Sequence, residues 1–146
     1  MISELAVLPH LEQILEDLPQ SVRIPTVWPE FFEQTGPMMT THDDRRLTHR
    51  YYFRVWAVAE IDGEQFAAPT KDISCGGISF LHHEQIAPLE PIKVSLPCGI
   101  CASAQVTRSM QIEDDCYDIG ARWVNEEDRL VITQYIAEFL DTGSAS

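Results

Sequence analysis

The sequence predicts a mainly β domain, a small antiparallel barrel of six short strands followed by one C-terminal α-helix. From Tyr51 onward, apolar and polar residues alternate with the period of two that is typical of β-strands. After Asn125 the period changes to that of an amphipathic helix. Six antiparallel strands with a single helix fit a barrel that the helix plugs or flanks.

Turn-forming residues separate the predicted strands. Asp62-Gly63 is a tight hairpin signal, and the acidic run from Glu113 to Asp115 is typical of a solvated hairpin tip. Pro69 lies near the middle of the second strand, so that strand is either at a sheet edge or bulged. The six predicted strands cover residues 51–61, 65–74, 78–81, 92–96, 100–110 and 117–124.

The C-terminal helix is predicted to begin after Asn125. Asn is a favoured N-cap residue, and the acidic residues of the first turn suit the positive end of the helix dipole. The apolar face of this helix is expected to consist of Leu130, Ile132, Tyr135, Ile136, Phe139 and Leu140.

Residues 1–42 are predicted to form an extension to a barrel domain that covers residues 43–146. A helix is expected over residues 3–18, although Pro9 either breaks it or marks its start. Prolines at 25, 29 and 37 favour an irregular segment after it. The aromatic residues of that segment, Trp28, Phe31 and Phe32, indicate that it packs on its own domain or on a partner.

Charge and composition narrow the functional classes. The chain has 146 residues and a formal net charge of −13, which argues against non-specific nucleic-acid binding and against a polybasic membrane anchor. No segment reaches the roughly 20 apolar residues of a membrane span. The N-terminus also lacks the basic region of a signal peptide, so we expect a cytoplasmic protein without DNA binding or membrane insertion.

Cysteines and histidines do not form a recognisable site in the sequence. Cys98 and Cys101 make a CxxC pair, but no second pair completes a zinc site and the context of a redox motif is absent. His82-His83, with His42 and His49, raises the question of a metal, but no carboxylate is evident at ligand spacing. No nucleophile elbow or catalytic triad is present. We expect no metal, no cofactor and no enzymatic activity.

Two short motifs on either side of the first hairpin carry the binding chemistry. The first contains Arg45, Arg46 and Arg50, whose guanidinium groups suit phosphate oxygens and the edge of guanine. The second is DISCGG, in which Asp72 and Ser74 can bond the N–H donors of guanine beside Gly76 and Gly77. Taken singly, the arginines can equally form a solvated basic surface, and DISCGG can equally be a turn.

In this order the two motifs resemble those of the PilZ domain family, bacterial receptors for cyclic di-GMP. The resemblance covers about residues 44 to 140 and rests on RRLTHR, DISCGGISF, YDIGARW and NEEDRLVITQYI. It implies a six-stranded barrel that binds cyclic di-GMP on its outer surface. Arg46 and Arg50 would contact phosphate and guanine, while Asp72, Ser74 and Gly77 would hold the other guanine contact. Arg45 resembles an arrangement that favours an intercalated ligand dimer.

The expected function is therefore that of a cyclic di-GMP receptor or adaptor that changes conformation or partner contacts on binding. His49 and Arg108 are further candidate ligand contacts. The alternative is a protein-protein interaction module of the same fold, in which residues 1–42 carry the contact and ligand binding is secondary. The protein partner, the regulated process and a homodimer are left open.

Overall fold

The structure is a computed structural model that describes residues 18–20, 35–37, 50–97 and 99–141. These residues form eight strands, one α-helix and one π-helical segment. The strands are β1 (Thr35–Pro37), β2 (Tyr51–Phe53), β3 (Trp56–Ile61), β4 (Glu64–Ile73), β5 (Gly77–His82), β6 (Pro91–Ser95), β7 (Cys101–Glu113) and β8 (Cys116–Trp123). The helix α1 covers Glu126–Tyr135 and continues into the π-helical segment Ile136–Asp141.

Six of the strands close into a barrel. Their order is β4-β3-β6-β7-β8-β5, and a further pairing between β5 and β4 completes the ring. Every neighbouring pair is antiparallel. The predicted six-stranded antiparallel barrel with a C-terminal helix is confirmed. Each strand from β3 to β8 therefore has two neighbours in the ring, although β4 and β7 are paired on both sides over only part of their length.

The strand predicted over residues 51–61 is divided in two. β2 pairs with the far end of β4, whereas β3 pairs with the near end of β4 and with β6. At the break, the hydroxyl of Thr70 donates to Phe53 O and accepts from Val55 N at 3.0 Å. This hydroxyl therefore bonds backbone groups on both sides of the break, a contact from another strand that a period-two pattern does not reveal.

Two predicted turns have the expected backbone. Asp62 and Gly63 have φ of 53° and 79°, the left-handed pair that a two-residue hairpin between β3 and β4 requires. Asp115 has φ of 59° at the hairpin between β7 and β8. β4 does contain a bulge, but it lies at Lys71 and not at Pro69, because the register of β4 against β5 shifts between Thr70 and Asp72. The edge-strand alternative holds locally at Pro69, because residues 64–69 of β4 pair with β3 whereas the pairing of β4 with β5 begins only at Thr70.

The barrel interior is apolar and the helix covers it. Phe80, Ile119 and Trp123 are fully buried inside the barrel, and Ile132 and Ile136 of the helical region join the same cluster. Burial of these side chains is the main source of stability for a domain of this kind. The predicted apolar face of the helix is only partly right, since Leu130 and Phe139 are 63% and 65% exposed.

The start of the helix is attached to the barrel by polar contacts. The Asn125 side chain accepts hydrogen bonds from Glu127 N at 2.8 Å and Asp128 N at 3.3 Å, as expected for an N-cap. The Asp128 carboxylate accepts from Ser103 N of β7 at 3.0 Å. These bonds fix the direction in which α1 leaves β8.

Short parts of the predicted N-terminal extension pair with β4 of the barrel and with β2. Pro19 O accepts from Ala67 N at 2.8 Å, and Gln20 forms an isolated bridge with Ala67. β1 pairs with β2 in antiparallel register. Apart from Leu18, the predicted helix lies outside the described residues, as do Trp28, Phe31, Phe32 and the boundary between 42 and 43. Within the described part of the chain, no helix combines the length and apolarity needed to cross a membrane.

Candidate ligand-binding site

A surface cavity of about 360 Å³ lies where the β4–β5 turn meets β7 and β8. It brings together every site residue predicted from the sequence that falls within the described part of the chain. Its lining includes Arg50, Asp72, Ser74, Gly76, Gly77 and Arg108. Arg45, Arg46 and His49 lie outside the described residues.

The two sequence motifs meet because β2 is antiparallel to β4. Tyr51 pairs with Ile73 and Tyr52 with Asp72, so Arg50 stands beside the end of β4. Arg50 Nη1 lies 3.9 Å from Asp72 Oδ1. The Asp72 side chain is only 4% exposed, whereas that of Arg50 is 29% exposed. A buried carboxylate is thus held beside a guanidinium group that still reaches solvent.

The bulge in β4 adds a second cation to this carboxylate. Thr70 pairs with Phe80 and Asp72 with Ser79, the next residue back along β5, which leaves Lys71 as the extra residue of the bulge. A bulge redirects side chains that would otherwise alternate between faces. Lys71 Nζ lies 3.4 Å from Asp72 Oδ2 and 2.7 Å from Asp118 Oδ2 of β8.

Two arginines complete the charged network. Arg108 Nη1 of β7 lies 3.6 Å from Asp118 Oδ2. Arg54 is buried, donates from Nε to Lys71 O at 3.2 Å and lies over the ring of Tyr52. Burial lowers the pKa of Arg54, while Tyr52, Asp72 and Asp118 act in the opposite direction. Asp72 and Asp118 therefore lie among four cationic side chains.

The balance of charge at this cavity is opposite to that of the whole chain. The chain has a net charge of −13 and only ten Lys and Arg residues. Half of these ten line the cavity or lie near the carboxylates of Asp72 and Asp118, namely Arg50, Arg54, Lys71, Arg108 and Arg122. The carboxylates of Asp72 and Asp118 are the negative groups among these five cations. Clustered cations of this kind favour an anionic ligand and focus its approach.

Buried oxygen atoms in the network still have bonding capacity. Asp72 Oδ2 has its ion pair with Lys71 but no hydrogen bond, and Asp118 Oδ1 and Ser79 Oγ also lack hydrogen-bond partners. Carboxylate oxygens accept from N–H donors, and buried acceptors of this kind are usually satisfied. The cavity therefore has guanidinium donors for anionic oxygens, and the Asp72 carboxylate lines it as an acceptor for N–H groups.

Ser74 and the glycines build the turn between β4 and β5. Ser74 Oγ accepts from Gly76 N at 3.1 Å and from Gly77 N at 3.2 Å, and Ser74 O accepts from the indole of Trp123 at 3.2 Å. A Cβ on Gly77 would lie 2.1 Å from Ala121 O. Gly77 is thus required for the close approach of β5 to β8, independently of any ligand.

Sequence reasoning missed Lys71, Asp118 and Arg122. Asp118, Gly120 and Arg122 alternate with the buried Ile119, Ala121 and Trp123, so the period of β8 was a usable signal for its outer face. Arg122 donates to Gln105 Oε1 at 3.2 Å. Gly120 leaves space for Arg108, whose Cγ and Nε would lie 3.0 Å from a Cβ at that position.

None of the three cysteines in the described part of the chain lines this cavity. Cys75, Cys101 and Cys116 are free thiols, and Cys98 lies outside the described residues. Burial, with Glu113 and Asp118 nearby, raises the pKa of Cys116 to about 11. Its thiol is therefore protonated and unreactive at neutral pH.

Glu84 contradicts the expectation that no carboxylate lies at ligand spacing from His82 and His83. The carboxylate of Glu84 does lie at ligand spacing, because its oxygen and one nitrogen each of His82 and His83 fall within 4.8 Å of one another. This group belongs to a different cavity, at the other end of β5.

The described residues thus form a small closed antiparallel β-barrel domain with a cationic cavity on its outer surface. The chain belongs to the PilZ domain family, whose model matches residues 44–138. No curated protein matches the sequence. The match to the family model confirms the resemblance inferred from the sequence motifs.

Solved structures share the fold at low sequence identity. The Bacillus subtilis inhibitor of motility (MotI/DgrA) has a TM-score of 0.52 at 17% identity, over 68% of this chain and 56% of that one. MrkH of K. pneumonia in complex with c-di-GMP has a TM-score of 0.53 at 14% sequence identity, and the match covers 71% of this chain and 63% of MrkH. MrkH in its apo state has a TM-score of 0.50 at 16% sequence identity, and the match covers 69% of this chain and 53% of MrkH. This chain therefore spans less than two thirds of the length of each of these proteins.

Proposed function

We propose that this protein is a receptor for cyclic di-GMP and that it acts without catalysing a reaction. The observation that carries the proposal is the cavity in which Arg50 and Asp72 meet, surrounded by half of the cationic residues of an acidic chain. Membership of the PilZ family supports it, as does the similar fold of MrkH, which was solved in complex with c-di-GMP.

Each candidate ligand contact has a role in this proposal. Arg50, with Arg46 and Arg45, binds phosphate oxygens and the O6/N7 edge or the face of guanine. Asp72 accepts from the N1 and N2 donors of a guanine, beside the Ser74-Gly76-Gly77 turn. Arg108 and Lys71 supply further positive charge at the phosphates, and His49 is a further candidate contact. Arg45 is the residue expected to permit an intercalated ligand dimer.

Calorimetric titration with cyclic di-GMP, beside GMP and GTP, tests the proposal. We expect saturable binding of cyclic di-GMP and much weaker binding of the mononucleotides. Arg50→Ala should reduce the affinity by about 100-fold, since a bidentate guanidinium contact is worth ~1–3 kcal/mol and Asp72 also loses one of its two cationic partners. Arg46→Ala should act in the same direction.

Lys93→Ala is the matched control. Lys93 is an exposed cation on β6 that does not line the cavity, so its removal changes the net charge equally without touching the site. Cys98→Ser should also leave binding unchanged. Equal losses in Lys93→Ala and Arg50→Ala, or no binding by the wild type, would contradict the proposal.

We further propose that ligand binding alters contacts with a protein partner. A ligand held by both Arg45 to Arg50 and the barrel would fix one segment against the other, and such ordering can expose or cover a docking surface. Removing the residues before Thr41 should abolish partner binding or dimer formation but retain ligand binding if residues 1–42 carry the contact. A cytoplasmic location and the absence of DNA binding stay predictions.

A further inference from the structure

A second cavity, of about 460 Å³, lies at the other end of β5 from the candidate ligand site. Gly77 at one end of this six-residue strand lines the first cavity, and His82 at the other end lines the second. The strand separates the two positions by roughly 17 Å, at about 3.3 Å for each residue. The second cavity is therefore a distinct feature of the barrel.

Three consecutive residues present metal-ligand atoms at this cavity. One atom each from His82, His83 and Glu84 lie within 4.8 Å of one another, and His83 Nε2 is 3.9 Å from Glu84 Oε1. Two imidazoles and a carboxylate are the donor set of several catalytic zinc sites, where water occupies the fourth position. His83 and Glu84 are exposed, so their side chains can close the short remaining distance to a shared ion.

His82 supplies an independent indication of a missing partner. It is only 5% exposed, and its Nδ1 is buried without a hydrogen-bond partner. Its ring stacks on Phe66 with centroids 4.8 Å apart and lies 4.4 Å from the ring of His83. Packing thus holds the His82 ring in place while its Nδ1 makes no hydrogen bond. A buried polar atom without a partner lowers stability unless another group binds to it.

The charge around the second cavity favours a cation. Asp62, Glu64 and Glu90 also line it, and none of its described lining residues is Lys or Arg. This is the opposite of the first cavity, whose lining contains three arginines. An acidic rim around a His-His-Glu cluster raises the local concentration of divalent cations.

We propose that His82, His83 and Glu84 bind a divalent late transition metal ion of the Zn²⁺ class. Imidazole ligands select such ions over Mg²⁺ and Ca²⁺, which prefer sites made entirely of oxygen. Three protein ligands leave a coordination position open to water or to an anionic group of a partner. This site goes beyond the proposed receptor function and does not depend on it.

Calorimetric titration of the metal-free full chain with Zn²⁺ tests the site. We expect one saturable binding event, and a loss of affinity of tenfold or more in both His83→Ala and Glu84→Gln, because loss of even an indirect contact typically costs 10–100-fold. Both residues are exposed, so neither change should disturb the fold, which circular dichroism can verify.

Two controls separate this site from other sources of binding. Glu90→Gln removes a carboxylate from the same cavity outside the three-residue cluster and should leave the affinity within a fewfold of wild type. Cys98→Ser/Cys101→Ser removes the rival thiol ligands and should retain binding. In addition, Co²⁺ should give visible d–d bands without the charge-transfer absorption of a thiolate ligand.

The proposal is overturned if the wild type shows no saturable Zn²⁺ binding. It is equally overturned if His83→Ala and Glu84→Gln bind as well as wild type, or if the cysteine variant loses the binding. Because the readout is metal binding alone, none of these outcomes depends on whether the protein binds cyclic di-GMP.

Discussion

At the scale of single residues, Gly77 shows how tightly the candidate site is tied to the fold. Its missing side chain lets β5 approach the backbone of Ala121, and the hydroxyl of Ser74 holds the amide of the same glycine. The conformation of this β4–β5 turn also places Asp72 and Gly76 at the cavity. The geometry of the site is therefore set by backbone packing before any ligand is present.

Gly77→Ala should destabilise the protein by about 2–3 kcal/mol, as expected when an added group meets fixed atoms in a packed region. The added Cβ would be 2.1 Å from Ala121 O, so β5 and β8 must move apart. The free energy of unfolding in urea measures the effect.

Gly63→Ala serves as the comparison for Gly77→Ala. Gly63 has open space around it but φ of 79°, so Ala there should cost only about 1 kcal/mol of backbone strain. An equal or larger loss in Gly63→Ala than in Gly77→Ala would contradict the packing argument.

His82 should make stability depend on pH. Burial, with a contribution from His83, lowers its pKa from 6.5 to about 4. Between these values the unfolded chain binds a proton that the folded chain does not, so the unfolding free energy should fall as pH drops from about 6.5 to about 4. The slope approaches ~1.4 kcal/mol for each pH unit.

Urea unfolding in the presence of a chelator, at a series of pH values, measures this dependence. His82→Asn should remove it, whereas the exposed His83→Gln should keep most of it. Carboxylates also titrate near the lower end of this range, so the quantity to compare is the difference between wild type and each variant. An unchanged pH slope in His82→Asn would show that His82 is not responsible.

At the scale of elements, the helix is attached to the barrel through its first turn. Asn125→Ala should lower the free energy of unfolding by about 1 kcal/mol, because the amides of Glu127 and Asp128 lose their acceptor. Asn125→Ser should restore most of the loss, since a hydroxyl can also cap. Chemical denaturation of both variants checks the prediction, and equal stability of the Ala and Ser variants would contradict it.

Most elements could be predicted because their signals are local. Alternation, hairpin residues and an N-cap are properties of a few neighbouring residues, and they led to the six strands and the helix. The division between β2 and β3 could not be predicted, because it depends on the Thr70 hydroxyl from another strand. Exposure of Leu130 and Phe139 likewise depends on how α1 sits on the barrel.

Part of the candidate site was predictable for the same reason. Arg50, Asp72, Ser74 and the glycines stand in two short motifs, and β2–β4 pairing brings these together. Lys71 was missed because the bulge overrides the alternation that would direct its side chain away from Asp72. Asp118 joins the network only through the register of β8, which no local pattern specifies.

At the scale of the whole molecule, charge is distributed unevenly over an acidic protein. The cavity at the Gly77 end of β5 is surrounded by cations, whereas the cavity at the His82 end is lined by carboxylates. The net charge of −13 repels anions in general, so cyclic di-GMP is expected to bind only at the first cavity. A metal ion, if bound, is expected at the second.

The most direct measurement of the central claim is amide chemical-shift mapping during titration of the labelled full chain with cyclic di-GMP. The largest shifts are predicted at the residues that line the cationic cavity, namely 50, 72, 74, 76–79, 107–108 and 120–122, while residues 82–87 and 126–135 should change little. Shifts centred on the His82 cavity or on the helix, or no shifts at saturating ligand, would contradict it.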